Sequence, residues 1–204
     1  MYQHFQHGQQ LKAMAVAAEE ALAPRFRRIA AIVEENQARV LRAFQHHHVS
    51  ESHFAGSAGY GYDDVGRDVI EHIYAEVFGA EDALVRPHFV SGTHAIVTAL
   101  FGVLRPGDEL LFVTGEPYDS LQQALGLRGK SPGNLLEFGI ACRVVPLKDD
   151  GQPDWNGIQR ALTPKVKVVA MQRSRGYSWR PTFTVEELAQ INRFVKEIRP
   201  YVIT

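Results

Sequence analysis

Val90-Ser-Gly-Thr-His-Ala-Ile-Val-Thr-Ala99 joins two kinds of sequence. Apolar residues run up to it, a small polar turn interrupts, and a helical pattern starts at once. Small, donor-rich residues at a strand-to-helix handover have two uses. Ser91 and Thr93 can cap, because their hydroxyl oxygens accept from the orphan N–H groups of a first helical turn. The same N–H groups, with the helix dipole behind them, can hold an anion such as a phosphate. The surrounding chain decides whether the second use is added to the first.

After Gly79 strand and helix patterns alternate. ALVRPHFV (83–90) reads as a strand, THAIVTALFGVL (93–104) as a helix, and RPGDELLFVT (105–114) as a turn and strand. YDSLQQALGL (118–127) is helical, RGKSPGNLLEFG (128–139) an irregular loop, and ACRVVPL (141–147) a strand. DWNGIQRAL (154–162) is a helix and KVKVVAMQ (165–172) a strand. TVEELAQINRFVKEI (184–198) is a helix opened by a capping box, with Thr184 at the N-cap and Glu187 three residues on. YVIT (201–204) begins one more strand. Such alternation implies a parallel, helix-covered sheet, so the expected class is α/β, with three layers over residues 80–204.

Upstream, residues 11–44 carry a helical pattern with Pro24 as a break or first helical position. Phe26, Ile29, Ala30, Val33, Val40, Leu41 and Phe44 fall on one face. A polar, glycine-rich stretch (46–64) precedes a helix over 65–78, with Val69, Ile70, Ile73, Tyr74 and Val77 on one side. The expected organisation is N-terminal helices and an interface loop (1–64), then the first part of an α/β domain (65–204). Because the last strand has only begun at Thr204, the chain reads as part of something longer.

The chain has 204 residues, 45% hydrophobic, with a net charge of −1. This is ordinary globular composition, and the near-zero balance argues against a nucleic-acid surface. No stretch approaches the ~20 apolar residues of a membrane span, nor does the N-terminus resemble a signal peptide, so a soluble cytoplasmic protein is expected. The single cysteine, Cys142, excludes an internal disulfide and sits in an apolar run, as a buried inert thiol would.

Two motifs mislead. Residues 124–131, ALGLRGKS, fit a relaxed P-loop, but a helix precedes them and Pro132-Gly133 forbids a helix after them. His46-His47-His48 suggests metal, but consecutive helical residues point in different directions, so no metal is expected.

GYGYDDVGRD (59–68) bears two readings. It is a glycine loop with Asp63 or Asp64 capping the next helix, or an anion-recognition set made of Tyr60, Tyr62 and Arg67. In a parallel sheet, ligands collect beyond the carboxyl ends of the strands. Ser91-Gly92-Thr93, then Tyr118 in GEPYDS, then QRSRGYSWRP (172–181) follow three of the expected strands. A donor nest, an aromatic face and an arginine-rich loop thus gather at one edge. The SGTH turn is read as both cap and anion seat.

Together, GYGYDDVGRD, VRPHFVSGTHAI, LRPGDELL and QRSRGYSWRP resemble the pyridoxal-phosphate enzymes of the aspartate aminotransferase superfamily. Within it they are most similar to the methionine gamma-lyase-like family also labelled aluminium-resistance proteins. The resemblance implies a three-layer α/β/α large domain of the aspartate aminotransferase type, preceded by N-terminal helices, and pyridoxal 5'-phosphate as cofactor. It implies that Ser91, Gly92 and Thr93 bind the phosphate and Tyr118 stacks on the pyridine ring. Tyr60, Tyr62 and Arg67 match a region that sends a tyrosine and an arginine to the phosphate across a dimer interface, with either tyrosine in that part. Gln172 and Ser174 fall where the ring hydroxyl is contacted, and Arg173 and Arg175 near the substrate carboxylate. The implied assembly is a homodimer or homotetramer with shared active sites, acting on a small amino-acid substrate without nucleic acid or membrane.

The family's Schiff-base lysine and pyridine-nitrogen aspartate are expected beyond YVIT; Lys12, Lys130, Lys148, Lys165, Lys167 and Lys196 do not match that lysine's position. Both groups are needed for the chemistry. The implied activity is a carbon–sulfur lyase of methionine gamma-lyase or cystathionine beta-lyase type, with the 204-residue chain alone inactive. The alternatives are a non-catalytic phosphate-binding or dimerisation remnant, and an aminotransferase or other amino-acid enzyme of the superfamily.

Overall fold

The computed structural model describes residues 1–56, 64–129 and 132–204. They divide into two compact units, residues 1–88 and 89–204. The boundary expected after Asp64 therefore falls inside the first unit.

The first unit is helical. Helix α1, Gly8–His46, runs for 39 residues, about 58 Å at the usual rise per residue. Pro24 lies inside it, so the expected break does not occur; one missing N–H costs a single bond in a helix continuous on both sides. Helix α2, Val65–Phe78, ends on Gly79 in the left-handed conformation and packs on α1. Its N-cap is Asp64, but no side-chain cap bond forms. The Asp64 carboxylate instead pairs with Arg67 Nε at 2.8 Å.

Residues 83–90 are not a strand. Pro87 has no N–H to give a ladder. The Val85 amide donates to Glu71 Oε1 at 2.8 Å, and Arg86 pairs with the same carboxylate. The segment is tied back to α2 rather than paired in a sheet.

The second unit is built on a parallel sheet. Helix α3 (Gly92–Val103) leads into β1 (Glu109–Phe112), α4 (Asp119–Leu125), β2 (Ala141–Val144), α5 (Trp155–Ala161), β3 (Val166–Ala170) and α6 (Val185–Ile198). The strand order is β2-β1-β3, all parallel. Ile203 adds a parallel bridge to Val168, so the YVIT segment starts pairing on the far side of β3. The capping box of α6 forms as the sequence implies, with Glu187 N donating to Thr184 Oγ1 at 3.2 Å and Thr184 N to Glu187 Oε2 at 2.7 Å.

Side chains on β1 alternate between two cores, as strand geometry requires. Leu111 and Val113 join Ile158, Val166, Val169, Phe183, Ile191 and Val195, under α5 and α6. Leu110 and Phe112 join Leu100, Leu104, Leu121, Leu125 and Val168, under α3 and α4. Helices thus cover both faces of the sheet. Among the described residues, no helix is long and apolar enough to cross a membrane.

Candidate functional site

Strand order sets where the site falls. The chain leaves β1 for β2 on one side and then crosses to β3 on the other. At such a reversal the connections diverge and leave a crevice at the carboxyl ends of the two strands that flank it, here β1 and β3. Tyr118 follows β1 and Gln172 follows β3, so both stand at this crevice.

They are joined. The Tyr118 amide donates to Gln172 Oε1 at 3.0 Å, while Gln172 Nε2 donates to the Ser174 carbonyl at 2.9 Å. The Gln172 amide donates to Thr114 Oγ1 at 2.8 Å, and Thr114 is fully buried at the end of β1. The hydroxyls of Tyr118 and Ser174 share a hydrogen bond. One side chain, Gln172, therefore spans both strand ends.

The 172–181 loop folds around this network. Arg180 Nη2 donates to the carbonyls of Gln172 (3.0 Å) and Ser174 (2.7 Å), and its guanidinium lies 5.3 Å from the Phe183 ring centre. Burial lowers the Arg180 pKa from its ordinary value, and the nearby Tyr118 hydroxyl opposes that effect. Gly176 has φ +57, and a Cβ there would come 2.7 Å from Tyr118 Cε1. Only glycine lets this backbone lie against the tyrosine ring. Thr114, Gly176 and Arg180 were not singled out from sequence. Gly176 and Arg180 lie in the quoted QRSRGYSWRP motif, where Arg173 and Arg175 drew attention instead.

A cleft of about 180 Å³ opens beside Tyr118, lined by Glu116, Asp119, Gln122, Gln172, Arg175 and Tyr177. That is below the ~300 Å³ where ordinary ligand pockets begin. Arg173 and Arg175 are exposed, and neither side chain has a hydrogen-bond or ion-pair partner among the described residues. No lysine among the described residues lines the cleft.

Ser91 caps α3, its Oγ accepting from His94 N at 3.1 Å. The Gly92 and Thr93 amides precede the first intrahelical bond and so have no acceptor within the helix. A Cβ on Gly92 would meet nothing within 4 Å, so the helix mouth is open. Helix α3 reaches β1 through the short turn 104–108. Free amides at a helix start suit a phosphate, and an aromatic face with amide and hydroxyl groups suits a polar heteroaromatic ring. This donor set fits pyridoxal phosphate.

Arg67 belongs to the first unit and is held by Asp64. Tyr60 and Tyr62 lie outside the described residues. Cys142, on β2, is half-buried, and burial pushes its thiol up to about 12, so it stays protonated and unreactive near neutrality.

Comparison with known proteins gives the family. The chain belongs to the methionine gamma-lyase family, whose model matches residues 11–204. It is 49% identical over all 204 residues to the protein YnbB of Bacillus subtilis, covering 48% of that protein. A Listeria monocytogenes protein whose name carries a proposed cystathionine beta-lyase activity and a part in aluminum resistance is 49% identical in structure-based comparison. The match has a TM-score of 0.90 and covers 94% of this chain and 47% of that one. A Clostridium novyi structure named as a carbon–sulfur lyase involved in aluminum resistance is 43% identical, with a TM-score of 0.89 over 96% of this chain and 47% of its own. The chain spans about half the length of these relatives.

Proposed function

We propose that these residues form the phosphate-and-ring side of the active site of a pyridoxal-phosphate-dependent carbon–sulfur lyase acting on sulfur amino acids. The single observation that carries this reading is the Tyr118–Gln172–Ser174 network at the strand-order reversal. It rests on the topology that gathers ligands in open α/β sheets and on a chain of the methionine gamma-lyase family. The helix-covered parallel sheet is taken as part of a three-layer large domain of the aspartate aminotransferase type.

Ser91, Gly92 and Thr93 seat the phosphate with backbone N–H groups and the α3 dipole. Tyr118 presents its ring to the pyridine, with Gln172 and Ser174 placed for the ring hydroxyl. Arg175, at the cleft, and Arg173 beside it hold the substrate carboxylate. Bound there, pyridoxal phosphate supplies the electron sink that lets an amino acid lose its α proton and then its sulfur group. Arg67, with Tyr60 or Tyr62, serves the phosphate of a second copy in a homodimer or homotetramer, and the protein works in the cytoplasm.

The 204-residue polypeptide alone holds the cofactor weakly and has no lyase activity. The test is an absorbance titration with pyridoxal phosphate, then borohydride reduction and peptide mapping. Weak, reversible binding without a labelled lysine is expected. Stoichiometric labelling of one lysine with turnover of a sulfur amino acid would overturn the inactivity, and no binding at all would overturn the phosphate seat.

A further inference from the structure

In the first unit, α1 ends at His46, and His47 is its C-cap with φ −86 and ψ 11. His48 then turns left-handed at φ 51. Because the helix stops here, the two rings need not diverge as they would along a continuous helix. His46 Nδ1 lies 2.7 Å and His47 Nε2 2.9 Å from the same atom, Glu76 Oε2 of α2. The divergence expected of consecutive helical residues therefore does not hold at this helix end, where both rings reach one carboxylate oxygen.

We propose that His46, His47 and Glu76 form a binding site for a divalent zinc-type cation, pinning the end of α1 to the last turn of α2. The three ligand atoms all lie within 4.8 Å of one another. Zinc bonds of about 2.0–2.1 Å in tetrahedral array place ligand atoms about 3.3 Å apart. Two of the three separations, 2.7 and 2.9 Å, are shorter than that value and the third is no more than 4.8 Å, so side-chain rotations must bring the three atoms around a common centre.

The donor types select the metal class. Two imidazoles and one carboxylate suit Zn²⁺ and neighbouring transition metals, whereas magnesium and calcium take oxygen ligands. His47 is largely covered, with its ring stacked on His72 at 5.7 Å, which limits its orientation. His46 is mostly solvent-exposed, so the remaining coordination position opens to water.

The test uses the whole 204-residue chain, stripped with a chelator and titrated with zinc chloride by calorimetry. Imidazole ¹⁵N spectra identify the ligating nitrogens. One Zn²⁺ per chain is expected, with shifts at His46 Nδ1 and His47 Nε2. Glu76→Gln and His46→Gln should each weaken binding by about tenfold or more, while His94→Gln leaves it unchanged. Circular dichroism checks that each variant is folded; an unfolded variant is replaced by the other of the pair. Absence of stoichiometric binding to the parent chain, or binding that survives both substitutions, would overturn the site.

Discussion

The two units bury their apolar residues differently. Among the described residues of the first unit, only Ala43 and Ile73 are buried apolar side chains, and Phe26, Ile29, Ile32, Val33 and Leu41 on α1 are about half exposed. In the second unit the apolar residues of β1 fill two cores, one on each face of the sheet. The same periodic pattern therefore means different things. In residues 89–204 it marks a face that this chain covers itself. In α1 it marks a face that α2 covers only near its end and that stays about half exposed from Phe26 to Val33.

That difference can be measured most directly by truncation. Leu111→Ala removes a fully buried side chain from the centre of β1 and should cost about 2–5 kcal/mol. Phe26→Ala on the half-exposed face of α1 should cost within ~0.5 kcal/mol. Urea unfolding followed by circular dichroism reads both. Equal losses would erase the contrast.

A smaller effect is expected at the site. Gly176→Ala forces a strained backbone and a contact with the Tyr118 ring, and should cost about 1–3 kcal/mol. The same denaturation experiment applies, and an unchanged midpoint would mean that the loop moves aside freely.

The smallest effect lies at the His46–His47–Glu76 cluster. The hydrogen bond from His46, with help from His47, holds the Glu76 carboxyl below its ordinary 4.5. A carboxylate whose folded pKa is lowered adds stability that is complete above the unfolded value and fades as pH falls through the folded one. Stability in metal-free buffer should therefore decline below pH 4.5 slightly more in the parent chain than in Glu76→Gln. Superimposable pH profiles would show that the carboxylate contributes nothing there.

The parallel sheet was legible because its strands are short apolar runs between turn signals, and Ser91 and Thr184 announced their caps. Two local readings failed for identifiable reasons. Pro24 lies within a helix continuous on both sides, where its missing N–H removes one intrahelical bond without ending the helix. The 83–90 run has strand-like composition, but Glu71, distant in sequence, claims its Val85 donor. At the site, Tyr118 and Gln172 could be placed by counting from strand ends. Gly176 and Arg180 could not, since their parts depend on how one loop folds over a tyrosine ring. The meeting of His46 and His47 on one carboxylate oxygen was not legible, because a helix end, unlike a helix, does not fix the direction of successive side chains.

The Tyr118–Gln172 bond joins residues 54 apart in sequence, and Thr114–Gln172 joins residues 58 apart. Between them the chain must lay down α4, β2, α5 and β3 before either bond can close. Loop closure of that span is entropically costly and is repaid only by docking of the full central sheet. The crevice is therefore a late product of folding, and no early fragment of the unit carries it. A nascent chain gains this site only when β3 has docked beside β1.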